Sequence, residues 1–153
     1  MAFIIISSPS GGGKTTICNM LMGEGASPIF GNVKFSVSTT TRQKRKHETD
    51  GKEYFFTSKA KFQKMVNNGE FLEYATVCEN YYGTRLASVS KTNHTLFDID
   101  FQGFLQIKNN KKTEKLVNIF LLPPSLSQLQ ERLNVRGDVN QEDIKLRMEN
   151  AIE

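Results

Sequence analysis

Phe3-Ile4-Ile5-Ile6-Ser7-Ser8-Pro9-Ser10-Gly11-Gly12-Gly13-Lys14-Thr15-Thr16-Ile17 stands at the start of the chain, and its reading decides the fold. The first four residues form a continuous apolar run, the pattern of a strand buried on both faces of a parallel sheet. Three glycines and a lysine follow, and then Ile17, Met20 and Leu21 recur at helical spacing. Strand, glycine turn and helix in that order make a P-loop. Backbone N–H groups and the helix N-terminus point at phosphate oxygens, Lys14 adds a cation, and the Thr15 hydroxyl is placed to ligate Mg²⁺. A ligand-free Gly-Ser turn would explain the glycines but not the Lys-Thr pair that follows. Ser8 stands where the full pattern GxxxxGK[ST] has glycine. Phosphate binding is expected to survive this change, with a loss of affinity if the position needs glycine's conformational freedom.

Working outward, Thr95-Leu96-Phe97-Asp98-Ile99-Asp100 predicts a second buried strand with acids at its C-terminal end, and 117–122 a third, stopped by Pro123-Pro124. Helices are predicted over 102–108, over 126–133 after the N-cap Ser125, and over 141–152, with a loop carrying Arg136 and Gly137 between the last two. Strands that alternate with helices imply an α/β fold with a parallel sheet flanked by helices. Asp98, at the sheet's C-terminal edge, is placed to hold Mg²⁺ through water opposite Thr15, as a Walker-B acid does. A helix cap or a surface acid is the plainer alternative. Asp98 and Asp100, two residues apart, are expected on one strand face.

Between the first and second buried strands the pattern changes. A short strand is predicted over 33–37, then a polar, basic loop over 38–51 with no helical or strand period. Residues 53–57 are strand-like, Ser58 caps a helix that ends near Gly69, and 71–78 return as a strand. This is the pattern of a small inserted subdomain.

Composition narrows the function classes. A chain of 153 residues suits one compact domain, and 38% hydrophobic with 24% charged residues excludes a disordered or fibrous chain. The run 3–6 is too short for a signal peptide or a membrane span, so a soluble cytoplasmic protein is expected. Cys18 and Cys78 lack metal-site or redox spacing and are expected to be free thiols. The net charge of +4 concentrates in Arg42-Gln43-Lys44-Arg45-Lys46 and Lys111-Lys112, which suits an anionic partner, nucleic acid or nucleotide phosphate. The basic run is short and lacks the interleaved aromatics of a base-stacking platform.

Seven segments then follow one another in an order that resembles guanylate kinases from residue 3 to the end. They are the loop 8–15, Ser36-Val37-Ser38-Thr39-Thr40-Thr41-Arg42, Asp50-Gly51-Lys52-Glu53-Tyr54, Phe71-Leu72-Glu73, Asn80-Tyr81-Tyr82-Gly83-Thr84, the run 96–103 and Leu122-Pro123-Pro124-Ser125. The resemblance implies a nucleoside monophosphate kinase in which the γ-phosphoryl group of Mg²⁺-bound ATP passes to GMP. ATP would be held by Ser8, Pro9, Ser10, Gly11, Gly12, Gly13, Lys14, Thr15 and Thr16, together with Arg132 and Arg136. Ser38, Arg42, Arg45, Tyr54 and Tyr82 would hold the GMP phosphate, while Glu73, Thr84 and Asp100 address guanine. Arginine forks and tyrosine hydroxyls suit phosphate oxygens, which the residue types support independently. The catalytic set would be Lys14, Arg42, Arg136 and Arg147, with Thr15 and, through water, Asp98 at the metal.

In this reading 1–37 and 85–124 form the core, 38–84 the GMP-binding insertion and 125–153 a mobile lid. The family's final strand and helix are expected to be missing, since the sequence stops at Glu153. The expected partners are ATP and GMP, with no nucleic acid or membrane, and the chain is expected to act as a monomer or homodimer. Alternatives remain at this point. One is a catalytically silent module that uses the same arginine and tyrosine pocket to hold another anion; another is a kinase for a different base, or an RNA-binding basic loop.

Overall fold

The N-terminal apolar run becomes β1 (Phe3–Ser7), which lies between β7 (His94–Asp98) and β8 (Leu116–Phe120), with β2 (Val33–Ser36) beyond β7. The structure, a computed structural model, describes residues 1–23, 28, 31–110, 115–136 and 141–152, with Arg136, Asp143, Asn150 and Ile152 described by backbone alone. All three pairings in this sheet are parallel, and Ile6 sits opposite Asp98. The C-terminal ends of β1 and β7 therefore lie side by side.

Alternation along β1 explains why the run reads as continuously apolar. Ile5 and Phe97 pack on one face with Phe104 and Ile107 of α3 (Phe101–Asn109), while Ile6 and Leu96 pack on the other with Cys18 of α1 (Lys14–Met22). Helices on both faces leave neither side of the strand to water. Each such side chain, almost fully buried, contributes about 1.5–3 kcal/mol.

The third predicted strand forms as β8, but it is not buried. Val117, Ile119 and Phe120 are 49%, 43% and 46% exposed. Its apolar residues match a central strand, but β8 is the last strand of the sheet and has β1 alone as a neighbour among the described residues.

A second sheet is built from β3 (Thr39–Thr40), β4 (Phe55–Phe56), β5 (Phe71–Val77) and β6 (Asn80–Arg85), in the order β4-β3-β6-β5. The expected loop over 38–51 thus contains a short strand. Polar side chains hid it, because Thr39 and Thr40 are buried by pairing between β4 and β6 rather than by an apolar face. The predicted helix is α2 (Lys59–Asn67), and the Ser58 hydroxyl accepts from the Lys61 N–H at its start. Phe62, on the buried face of α2, stacks on Phe71 and Tyr81 at 4.4 and 5.4 Å and so fixes the helix to the sheet.

After the sheets come α4 (Leu126–Arg136) and α5 (Gln141–Ile152), joined by Leu129, Leu133 and Ile144 with Met148 against them. Arg136 is the last residue of α4 rather than a loop residue. Lys111, Lys112 and Gly137 lie outside the described residues, as does most of the Gly/Ser/Pro-rich stretch 23–31. Among the described residues, no helix is long and apolar enough to cross a membrane.

Candidate active site

The loop after β1 is shaped by two glycines in the left-handed region, Gly11 (φ 86°) and Gly13 (φ 100°). Gly13 caps α1 but has no side chain to occupy the helix N–H groups, so the first turn is left open toward a ligand. The Gly12 N–H closes the loop onto the Pro9 carbonyl at 3.0 Å, and the Lys14 ammonium reaches back to the Ser8 carbonyl at 3.1 Å. Ser8 is not in the left-handed region, and its hydroxyl donates to the Pro9 carbonyl at 2.8 Å. The position where the sequence departs from the glycine pattern therefore accepts a side chain without backbone strain. At Gly12 the obstacle is contact and not backbone conformation: a side chain there would run into the Ser8 hydroxyl and crowd the Pro9 carbonyl.

Thr15 and Asp98 come together here, the Thr15 hydroxyl donating to Asp98 Oδ2 at 3.0 Å. The register of β1 against β7 makes this contact possible. Below them Cys18 is buried, and burial followed by the nearby charge of Asp98 pushes its thiol up to about 12, so it stays an inert thiol. Asp100 is not on this strand. The chain leaves the sheet after Asp98, and Asp100 becomes the N-cap of α3, its carboxylate accepting from the Gly103 N–H at 2.8 Å. The expected pair on one strand face is split, one acid at the phosphate loop and the other at a helix start.

The arginines of α4 and α5 converge on the loop. The Arg147 guanidinium donates to the Ser10 hydroxyl, Arg132 lies beside Gly13, and Leu129 and Leu133 rest against Gly11. Arg136 belongs to α4, but its side chain lies outside the described residues.

In the loop that follows β3, Arg42 and Arg45 are brought together by Glu48, which the sequence reading passed over. Its carboxylate takes both ends of the Arg42 fork, at 2.7 and 3.1 Å, and the Arg45 N–H at 2.8 Å; the Arg45 guanidinium lies at 3.5 Å. Glu48 is 5% exposed. Burial pushes its carboxyl up, but hydrogen bonds from Arg42 and the Arg45 backbone outweigh this and hold it below the ordinary range. The signal available in the sequence was a lone acid closing a basic run. Arg42 also lies over the Tyr54 ring at 5.5 Å, and Tyr54 meets Tyr82 edge to face at 5.9 Å. Tyr54 is delivered by the Asp50-Gly51 turn, with Gly51 at φ 80° and its N–H on the Tyr54 carbonyl. Burial, then the charges of Asp98 and Tyr82, hold the Tyr54 phenol protonated well above its ordinary value. β2, whose Ser36 pairs with Phe97 beside Asp98, runs through two residues into β3, and the Arg42 N–H bonds the Thr40 hydroxyl of β3 at 3.2 Å, so this cluster lies next to the phosphate loop.

A third group forms around Glu73, which is 4% exposed and lies opposite Thr84 across β5 and β6. Ser38 and Thr84 approach at 3.5 Å between hydroxyls, and Gly103 of α3 faces the Glu73 carboxyl so closely that a side chain there would collide with it. The carboxyl is pushed up to about 7, by burial first; hydrogen bonds from Thr84 oppose the rise and the charge of Asp100 adds to it. Near neutral pH this buried group is therefore divided between its two forms, where an exposed glutamate would be fully ionised.

A parallel sheet, a strand–glycine loop–helix phosphate site, and a basic and tyrosine-lined cluster beside it define a P-loop nucleotide-binding protein of the α/β class. The family model described as guanylate kinase matches residues 1–153. Among curated relatives, a guanylate kinase of Rhodopseudomonas palustris is 44% identical over 96% of this chain and 66% of its own length. One of Rickettsia bellii is 43% identical over 97% of this chain and 76% of its own. The crystal structure of guanylate kinase from Anaplasma phagocytophilum superposes with a TM-score of 0.73 and 32% identity, over 97% of this chain and 70% of that one. The chain belongs to the guanylate kinase family. It spans roughly two thirds to three quarters of the length of these relatives.

Proposed function

We propose that this chain transfers the γ-phosphoryl group of ATP to GMP, giving ADP and GDP. The single observation that carries the reading is that two phosphate-binding arrangements adjoin. The loop 8–16 leads to the Thr15–Asp98 contact, and β2, which pairs beside Asp98, runs through two residues into β3, whose Thr40 holds the N–H of Arg42, beneath which Tyr54 lies. One anion-binding site would serve a nucleotide alone, whereas a neighbouring pair brings a donor and an acceptor phosphate together.

In this reading the loop N–H groups and Lys14 hold the ATP phosphates, while Arg132 and Arg147 offset charge on the transferred group. The Arg42 and Arg45 forks and the Tyr54 and Tyr82 hydroxyls hold the acceptor phosphate in line. Glu73, Thr84 and Asp100 read the base. Thr15 and, through water, Asp98 are hard oxygen donors of the kind Mg²⁺ prefers and would hold that ion together with the nucleotide phosphates; it would supply neutralising charge for the transfer. The residues present fit that ion, and they fit transfer without a dedicated general base.

Lys14, Thr15 and Asp98 together favour this over a silent anion-binding module, which has no use for a metal site. ATP and GMP are the proposed partners, for a monomer or homodimer, and the free thiols of Cys18 and Cys78 suit a reducing cytoplasm. A coupled assay of ADP release tests the proposal with GMP, AMP and UMP as acceptors. Release that depends on GMP supports it; release indifferent to the acceptor, or none at all, refutes it.

A further inference from the structure

Gln106 lies in the last turns of α3 and is exposed to solvent. Its side-chain amide nevertheless makes two hydrogen bonds to one residue of β5: the carboxamide oxygen accepts from the Tyr74 N–H at 3.1 Å, and the Nε2 donates to the Tyr74 carbonyl at 2.6 Å. Among the described residues β5 is the last strand of its sheet, and its outer N–H and C=O groups face no strand there. The amide of Gln106 supplies the donor and acceptor that a neighbouring strand would have presented.

Tyr74 directly follows Glu73. Between Phe71 and Glu73 the pairing with β6 slips, Leu72 being the extra residue, and such a bulge re-aims the side chains beside it. A bulged edge strand is free to shift on its outer side unless something fixes it. The same helix that carries Gln106 places Gly103 against the Glu73 carboxyl and is capped by Asp100, whose charge Glu73 feels. Three points of α3 thus bear on Glu73: the cap, the close approach at Gly103 and the clamp at Gln106.

We propose that Gln106 is a positioning residue for base recognition, holding the bulged strand so that the Glu73 carboxyl stays in register with Asp100 and Thr84. The inference rests on the reading of Glu73 as a base-reading group. Its effect belongs to the purine base and not to the phosphates, because the clamp touches β5 alone and neither the loop 8–16 nor Arg42, Arg45 and Glu48.

The test is a double-mutant cycle on GMP and AMP binding, measured by titration calorimetry without ATP and well below the melting temperature. Glu73→Gln, Gln106→Ala and the isosteric Gln106→Glu, which keeps the stem but loses the donor to Tyr74, are compared. Loss of a clamp of this kind is expected to weaken GMP binding by about 3- to 10-fold while leaving AMP binding unchanged. In the Glu73→Gln background, Gln106→Ala should add almost nothing, since the group it positions is already altered. A role in stability alone would lower the melting temperature with GMP affinity intact, or give equal losses in both backgrounds; either result overturns the proposal. If Glu73→Gln itself leaves the GMP-to-AMP ratio unchanged, the base-reading role fails and this inference with it. If Glu73→Gln lowers the ratio and neither Gln106 variant does, only the inference falls.

Discussion

If Glu73 reads the base as proposed, the choice of base depends on pH. Guanine presents N1–H and its N2 amino group as adjacent donors, which an ionised carboxylate accepts together and a protonated one does not. Adenine presents an acceptor at N1, so AMP gains nothing from ionisation. With the free protein's carboxyl near pH 7, about one molecule in eleven is ionised at pH 6 and about ten in eleven at pH 8. GMP affinity is therefore expected to rise by about 10-fold across that range relative to AMP. The ratio is the quantity to measure, because both nucleotides carry the same phosphate and its own titration cancels. Competition titrations at pH 6, 7 and 8 provide it, and Glu73→Gln, which does not titrate, should flatten the profile. A GMP-to-AMP ratio that does not change with pH in the unsubstituted protein refutes the reasoning. The free protein carries a linked signature of opposite sign. The folded carboxyl lies above its ordinary value of 4.5, so between about pH 4.5 and 7 the folded chain keeps a proton that the unfolded chain has lost. Stability contributed by this group is present below that window and falls as pH rises through it, by up to about 3 kcal/mol. Glu73→Gln should remove that slope in urea unfolding.

Three further outcomes follow from the geometry. Replacing Lys14 by Ala removes the cation at the ATP phosphates and should abolish measurable transfer with GMP binding nearly intact; near-normal turnover would exclude Lys14 from the mechanism. Glu48→Ala leaves Arg42 and Arg45 without the carboxylate that aligns them, and should raise KM for GMP by roughly 10- to 100-fold with little change in KM for ATP; equal effects on both substrates would point to general unfolding. Gly11→Ala forces a side chain into a φ of 86° and against Leu129 and Leu133, so a loss of about 1–3 kcal/mol in stability is expected together with weaker ATP binding; an unchanged melting curve would show that α4 does not rest on the loop.

Much of this site could be read along the chain, for reasons specific to each part. The phosphate loop was legible because its chemistry is local: fifteen consecutive residues carry the strand, the turn and the helix. Ser58 declared a helix start for the same reason. β6 was not predicted as a strand, since the two-residue turn before it is Cys78-Glu79, with φ of 46° and 61°, where such hairpins ordinarily carry Asn-Gly. Asp100 was misplaced by one step because a strand and the cap of the next helix share a run of similar residues. Glu48 was passed over among basic neighbours, although its carboxylate orders them.

By itself, the sequence determined which groups this protein has available: a glycine loop with its lysine and threonine, an acid after an apolar strand, and arginines and tyrosines in a polar insertion. Those follow from residue type and short-range spacing, and a chain carries both wherever it goes. Tertiary structure alone decided which of them meet. Asp98 reaches Thr15 across a register between strands more than eighty residues apart, and Arg42 comes beside them because β2, paired next to Asp98, leads through two residues into β3 of the other sheet. Glu73 acquires its raised affinity for a proton from burial against α3, and desolvation and proximity are properties of the packed chain that no single segment possesses.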